Sequence, residues 1–390
     1  MEFAFSDEQE MIRTSAEGFL AAVSDSAAVR AAMVSERGFD EALWQRLCRE
    51  MYWPAIHIPE AYGGLGLGFV ELVILLEQMG RSLLCSPFFA TACMATPALL
   101  LAANDEQKRR WLPLIADGSL TATLAFSSAN GWTAEDVQVT AVPEGEGFVL
   151  DGILKHVLDG HSADLLIIAA RTPGSTGQAG ISLFAVDANR AGIERQRVPT
   201  MDQTRRQARL QLKGVSLGAN CLLGQFGAGW PYLERVLQLA CIGLAAEQTG
   251  GAQQVLDLSI AYMQERQQFG RAIASFQALK HRAADMMLQV ECARSASYYA
   301  ACVAQEVLDP QGDSRVAAEL PLAAALAKAQ CSETYFHCAS ESIQLHGGVG
   351  FTWEYDPHLY FKRARASESF LGLPAWHRER IAVAILGEQS

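Results

Sequence analysis

Between about residues 120 and 223 the chain stops reading as helix, and that interruption constrains the fold more than any other feature. Short apolar runs at 121–126, 137–142, 148–150, 165–170 and 181–186 alternate there with Gly, Pro, Asn and Asp, the rhythm of strands and turns. Glu144-Gly-Glu-Gly147, just before Phe148, has the composition of a hairpin turn. On the N-terminal side the period is helical. Ser6 followed by Gln9 forms a capping box, Met11, Ile12, Phe19, Leu20 and Val23 recur at helical spacing, and helices are expected over 70–79 and 106–116. After Gly229 the period returns: Phe276, Leu279, Ala283, Met286, Met287, Val290 and Ala293 keep one face over several turns. The order helix, strand, helix predicts an α+β chain with a segregated antiparallel sheet, divided at 1–118, 119–225 and 226–390.

Several function classes drop out on charge and composition. The net charge is −12 and no Lys/Arg run interrupts it, which argues against nucleic acid as a partner. Residues 82–104 carry no charge and are long enough to span a bilayer, but Pro87 and Pro97 interrupt them and Ser, Thr and Asn stud them, so a buried helix–turn–helix is expected and no membrane insertion. The acidic start, Met-Glu-Phe-Ala-Phe-Ser-Asp-Glu, does not resemble a targeting peptide. Nine cysteines without a C-x-x-C pair, most of them inside apolar helical patterns, read as small buried thiols in a reducing, cytoplasmic setting. Eight histidines show no zinc-like spacing with them, and no metal site is expected.

Three stretches could carry chemistry. Gly64-x-Gly66-x-Gly68 has the look of a phosphate loop, but no strand precedes it, and a tight bend between helices is expected. Tyr262-Met-Gln-Glu-Arg266-Gln-Gln-Phe-Gly270 ends a helix, which resumes through Phe276 and Gln277. Arg266 either caps helix carbonyls or offers a guanidinium, beside an aromatic ring and an amide, to a pyrophosphate and a flat ring; composition leaves both open. Gln344-Leu-His-Gly-Gly-Val-Gly350 follows an apolar helix, and its adjacent glycines either cap that helix or free backbone N–H groups for a ligand.

Taken together, the Arg266–Phe269–Gly270 run, the Phe276-Gln277 pair, the 344–350 and 59–68 segments and the helix–strand–helix order resemble the acyl-CoA dehydrogenase family of flavoproteins, over nearly the whole chain. The resemblance implies an N-terminal helical domain, a middle β-barrel and a C-terminal four-helix bundle, assembled as tetramers with FAD between subunits. It implies that Arg266, Gln268, Phe269 and Gln277 hold the ADP half of a neighbour's FAD, with Gln344, Gly347 and Gly348 lining the same pocket. Phe126, Ser127 and Ser128 fall where the barrel meets flavin and acyl-CoA. An electron-transfer flavoprotein is the implied electron acceptor.

The family reaction takes a proton from the acyl Cα while hydride leaves Cβ, and it needs a carboxylate over the substrate. One familiar base position falls here on Gly372, the other on Ala240 and Cys241; none is a carboxylate. Two further departures agree. The segment usually bearing Trp and Thr beside the flavin reads Lys155-His-Val-Leu-Asp159, and the usual Thr-Glu-Pro element is replaced by Ser127-Ser-Ala-Asn130. This variation resembles the small, base-lacking subunits of two-gene acyl-CoA dehydrogenases, some acting on steroid side-chain thioesters. The expectation is therefore an FAD-dependent subunit that desaturates an acyl-CoA, as a homotetramer or as an α2β2 complex with a base-carrying partner. Its rivals are a non-catalytic structural subunit and a flavoprotein of this fold with other chemistry. Glu247, inside the apolar run 239–248, is the one substitute base to weigh; the alternative is a buried pair with Arg363 or Arg365. Glu354 and Glu368 read as surface or ion-pair residues.

Overall fold

A computed structural model describes residues 5–129 and 131–387; Asn130 and the first four residues of the acidic start lie outside them. The chain packs into two compact units. One takes the residues up to Ala31, Phe69–Leu84 and everything from Cys241; the other takes Ala32–Gly68 and Cys85–Ala240. The N-terminal helical stretch is thus shared between two cores, which helical periodicity cannot register.

The second unit is built on a sheet of eight strands: β1 (Ala122–Ala125), β2 (Thr140–Glu144), β3 (Gly147–Leu158), β4 (Leu165–Arg171), β5 (Ile181–Asp187), β6 (Ile193–Val198), β7 (Gln207–Gly218) and β8 (Leu222–Leu223). The path runs β6-β7-β3-β2-β4-β5-β8, with β1 also on β4. Pairing is antiparallel except at β4, which meets β1 and the start of β2 in parallel. One core collects Ala125, Leu150, Leu154, Ile168, Phe184, Leu210 and Leu217, from both halves of that path, as a sheet rolled around its own interior requires. Glu144 pairs with Gly147, and Gly145 takes the first corner of the turn at φ 59°. Three strands, β6, β7 and the two-residue β8, are absent from the sequence reading. In β7 polar positions alternate with buried ones and β6 is largely open to solvent, so both lack the unbroken apolar runs of β4 and β5, while β8 is too short to show a pattern.

The uncharged segment differs from a plain helix–turn–helix. A turn at Leu83, φ 47°, is followed by a π-helical run, Phe89–Ala95, that passes directly into the helix Thr96–Ala102. Pro97 does not break it, because a proline in the first turn of a helix has no hydrogen bond to lose. The run is buried; among the described residues no helix is long and apolar enough to cross a membrane. The Gly64–Gly68 stretch is a bend, zipped to the loop before it by Leu65 N–H to Ala55 O and Gly66 N–H to Ile58 O, both 2.9 Å, and it leads into the helix Phe69–Arg81.

The other unit is a bundle around the long helices Gln277–Leu308 and Leu320–His346 and the part of Trp230–Glu265 from Cys241 onward, with the shorter Asp7–Val23, Phe69–Arg81, Pro357–Ser369 and Pro374–Leu386 against them. The expected capping box is present: the Ser6 hydroxyl accepts from the Gln9 N–H, and the Gln9 side chain accepts from the Ser6 N–H. Helices Phe69–Arg81 and Trp230–Glu265 cross at reciprocal glycines. A Cβ on Gly80 would strike the Glu247 carbonyl, and one on Gly250 the Glu77 carbonyl, so the crossing admits no side chain at either place. Buried polar links finish the packing: Gln248 donates to Ser332 (3.0 Å) and Ser367 (3.2 Å), and Ser259 to Ser342 (2.9 Å).

His57, between Ile56 and Ile58, is buried against the Ala92 backbone of the π run, and burial pushes its pKa down from 6.5 to about 4. A histidine held neutral in the fold but free to protonate when unfolded contributes stability that is full above 6.5 and is lost as pH falls toward 4. The difference amounts to about 3 kcal/mol at roughly 1.4 kcal/mol per pH unit. Urea midpoints at pH 7 and 4.5 should therefore separate in the wild type, and His57→Leu should narrow that gap; an equal gap in both proteins would refute the assignment.

Candidate functional site

The helix from Trp230 ends at Glu265, short of Gly270, where the sequence reading ends it. Beyond it lies a two-stranded ribbon, Gln267–Gln268 against Arg271–Ala272, whose two tip residues both have positive φ: Phe269 at 53° and Gly270 at 76°. That is the geometry of a two-residue I′ hairpin, which suits glycine at the second place and is uncomfortable for phenylalanine at the first. Phe269 is nevertheless 90% exposed, with only an edge contact to Phe276 at 6.1 Å, and Arg271 lies over the Phe276 ring at 4.3 Å. Arg266, Gln268 and Gln277 are exposed as well.

The second candidate loop lies beside the same end of this helix. Tyr262, one turn before Arg266, stacks on His346 at 4.3 Å, and Tyr355 closes edge-on at 6.2 Å from both rings. His346 ends the helix Leu320–His346, Gly347 turns the chain at φ 64°, and Gln344, Gly347 and Gly348 face solvent with open space where a Cβ would lie on either glycine. The structure thus brings the ribbon and the 344–348 loop together on one unit through the Tyr262–His346 stack. Gly347 caps the helix, its N–H donating to the Gln344 and Ile343 carbonyls, while the loop stays exposed.

Phe126, Ser127 and Ser128 belong to the other unit, at the end of β1. The Ser127 carbonyl accepts from Lys155 N–H at 2.8 Å, which ties this strand end to a bulge in β3 where His156 sits at φ 55°. The Ser127 hydroxyl turns back to the Gly131 carbonyl at 3.0 Å, whereas the Ser128 hydroxyl is buried without a hydrogen-bond partner. A buried hydroxyl left open beside a strand end is the kind of group a polar ligand edge completes. Among the described residues, no three His, Cys, Asp or Glu side chains gather to hold a metal.

The two positions where a base would fall converge. Residues 370–373 link the helix Pro357–Ser369 to Pro374–Leu386, and the Cys241 thiol donates to the Leu371 carbonyl at 3.8 Å. Burial pushes that thiol up to about 11, so it stays protonated. Gly372 has φ 101°, and a Cβ there would lie 2.5 and 2.9 Å from Trp376 ring carbons and 3.0 Å from His377 Nε2. His377 Nε2–H donates to the Leu371 carbonyl at 2.8 Å, and burial takes its pKa down to about 4. Glu247 is held elsewhere: Arg363 Nη1 donates to its Oε1 at 2.7 Å, with the two side chains only 4% and 8% exposed. Arg365 pairs with Glu368 instead, and Glu354 is exposed.

Lys328, Trp376 and His377 lie against the Leu371–Gly372 turn, and the sequence reading misses all three. A signal exists for the first, since Lys328 interrupts the apolar run 320–331 as Glu247 interrupts 239–248. Trp376 and His377 carry no signal without knowing that they fold over Gly372.

One unit is helical and carries an exposed arginine–aromatic ribbon, and the other is built on a rolled sheet. Kinship with known proteins gives this architecture a family. The acyl-CoA dehydrogenase N-terminal domain matches residues 6–119 and the acyl-CoA dehydrogenase C-terminal domain residues 227–386. Acyl-CoA dehydrogenase IpdE2 of Mycobacterium tuberculosis is 36% identical over 368 residues, 94% of each chain. A solved structure of a variant of the Tcur3481-Tcur3483 steroid ACAD is 30% identical at a TM-score of 0.84, covering 97% of this chain and 98% of that one. The ChsE4-ChsE5 complex from Mycobacterium tuberculosis gives 25% identity and a TM-score of 0.87 over all of both chains. The chain belongs to the acyl-CoA dehydrogenase family, FAD-dependent oxidoreductases acting on CH–CH bonds.

Proposed function

We propose that this chain is the FAD-binding, base-lacking subunit of a heteromeric acyl-CoA dehydrogenase that introduces the α,β double bond into an acyl-CoA thioester. The observation that carries the reading is Gly372: the residue is left-handed, and Trp376 and His377 close the space its side chain would need. Cys241, the other position, is a buried protonated thiol. A Cα proton must go to a carboxylate, and this chain offers none at either place. The kinship with a two-chain complex and with a steroid enzyme of paired name supports a partner as its source. It also points to fatty-acid or steroid side-chain thioesters as the substrate class.

The residues fit the cofactor. The open Ser128 hydroxyl, with Phe126 and Ser127 at the same strand end, suits the polar edge of a flavin. Arg266, Gln268, Phe269 and Gln277, with Gln344, Gly347 and Gly348, form an exposed surface of one guanidinium, amides, a ring and bare backbone for the diphosphate and adenine of a neighbour's FAD. Bound FAD supplies the acceptor for the hydride leaving Cβ. The chain's own task is to bind and orient, with an electron-transfer flavoprotein as onward acceptor. Nine free cysteines, six of them buried, suit a reducing cytoplasm.

Purification tests the partner requirement: expressed alone the chain should form no 2-enoyl product, and a yellow, active homotetramer would end this reading. A purely structural subunit is the second reading, favoured by the exposed ribbon. In the assembled enzyme, Arg266→Ala should remove most flavin absorbance contributed by the partner's site; unchanged occupancy would rule out the ribbon as a cofactor clasp.

A further inference from the structure

The cluster beneath the 370–373 loop takes the proposed function one step further, and the inference rests on that reading for its link to acyl-CoA. Lys328 is 0% exposed, yet its Nζ donates to three acceptors: the Ser332 hydroxyl at 2.8 Å, the Glu368 carbonyl at 3.1 Å and the Gly372 carbonyl at 3.0 Å. Three N–H bonds meet three acceptors, which is how a fold can tolerate an ammonium out of water. Glu368 O belongs to the last turn of the helix Pro357–Ser369, where the aligned peptide dipoles concentrate negative charge and favour a cation.

The loop itself is held in a costly shape. Leu371 and Gly372 are consecutive left-handed residues, at φ 61° and 101°, and a leucine there costs roughly 1–3 kcal/mol. Such a shape persists only where its surroundings over-determine it. His377 and Cys241 take the Leu371 carbonyl; Lys328 takes those of Glu368 and Gly372. Two carbonyl oxygens of the loop, those of Leu371 and Gly372, and one from the helix turn before it, that of Glu368, are therefore turned inward onto donors. A thioester oxygen that gains negative charge is repelled by any carbonyl aimed at it. With the Leu371 and Gly372 carbonyls withdrawn, the turn of the loop does not aim those two oxygens at it.

We propose that Lys328 is a positioning residue that pins the 370–373 loop from below and keeps the loop's Leu371 and Gly372 carbonyl oxygens away from a bound acyl thioester. It acts through the loop and touches no substrate. The Gln248–Ser332–Ser367 hydrogen bonds hold the Ser332 hydroxyl in place and so aim the ammonium.

The test uses the assembled enzyme and two readouts. Hydrogen exchange should show the amides of 370–376 at least tenfold less protected in Lys328→Met than in the wild type, with Lys328→Gln, which keeps two donors, in between. In parallel, the dissociation constant of a saturated acyl-CoA, read from the flavin spectrum, should rise about tenfold in Lys328→Met at unchanged flavin content, and recover in part in Lys328→Gln. If Lys328→Met does not fold, Ser332→Ala should loosen the same amides about threefold. Wild-type loop protection and acyl-CoA affinity in Lys328→Gln or Ser332→Ala as well as in Lys328→Met would overturn the proposal. A wild-type enzyme that binds no acyl-CoA would instead overturn the proposed function, while the exchange comparison would still decide whether Lys328 pins the loop.

Discussion

Gly372→Glu should fail to confer dehydrogenase activity on the chain alone, and should destabilise it by about 3 kcal/mol. The number combines two costs of similar size: roughly 1–3 kcal/mol for a side chain in a left-handed conformation, and a like amount for forcing atoms into a filled space. The φ of 101° supplies the first, and Trp376 and His377, within 3.0 Å of the new Cβ, supply the second. A carboxylate placed on this loop would have to displace the Trp376 ring, which Arg380 covers at 4.8 Å. On the proposed reading, more than one residue's identity separates this loop from one that carries a base, because the loop is shaped around the lack of a side chain. Urea denaturation and a 2-enoyl product assay on the same preparation check both halves. A stable, active Gly372→Glu homomer would show that the loop is permissive and that only the residue type had changed.

Arg363→Met is expected to have the largest effect on stability, a loss of about 3–5 kcal/mol, because it takes the guanidinium away from a buried carboxylate. The Glu247 side chain is only 8% exposed, and its backbone is fixed at the helix crossing beside Gly80, so the carboxylate stays out of water where it stands. The double variant Glu247→Leu with Arg363→Met should recover most of the loss, since two apolar groups of similar volume replace the pair. Denaturant midpoints of the two single variants and the double variant measure the coupling directly. Additive losses would mean that the two charges do not depend on each other.

How much of the fold is legible in the sequence varies with what each residue faces. The helices expected over 70–79 and 106–116 reappear as Phe69–Arg81, buried without a break from Leu72 to Gly80, and Asp105–Ala116, which has one buried stripe and a full capping box at Asn104. Strands β4 and β5 are buried along almost their whole length and are plain as apolar runs. Strand β3 reads as three residues and is twelve, since its outward positions are Asp151, Lys155 and His156 and its ladder is broken by a bulge. The ribbon at 267–272 reads as part of a helix because a hairpin this short has no periodicity to announce it. Around Gly372 the sequence tells only what is absent. The closure of that space depends on Trp376 and His377 returning over the glycine from the next helix, and on Lys328 reaching it from 44 residues away, contacts that no local pattern encodes.

The ribbon tip has a practical corollary. A phenylalanine held 90% in water on a strained turn is of little use to its own chain. If its purpose is to close over a coenzyme carried by another molecule, then retention of that coenzyme obeys mass action between protein chains. Dilution should then bleach the enzyme even when each chain remains fully folded, and a crowded cell would keep it coloured.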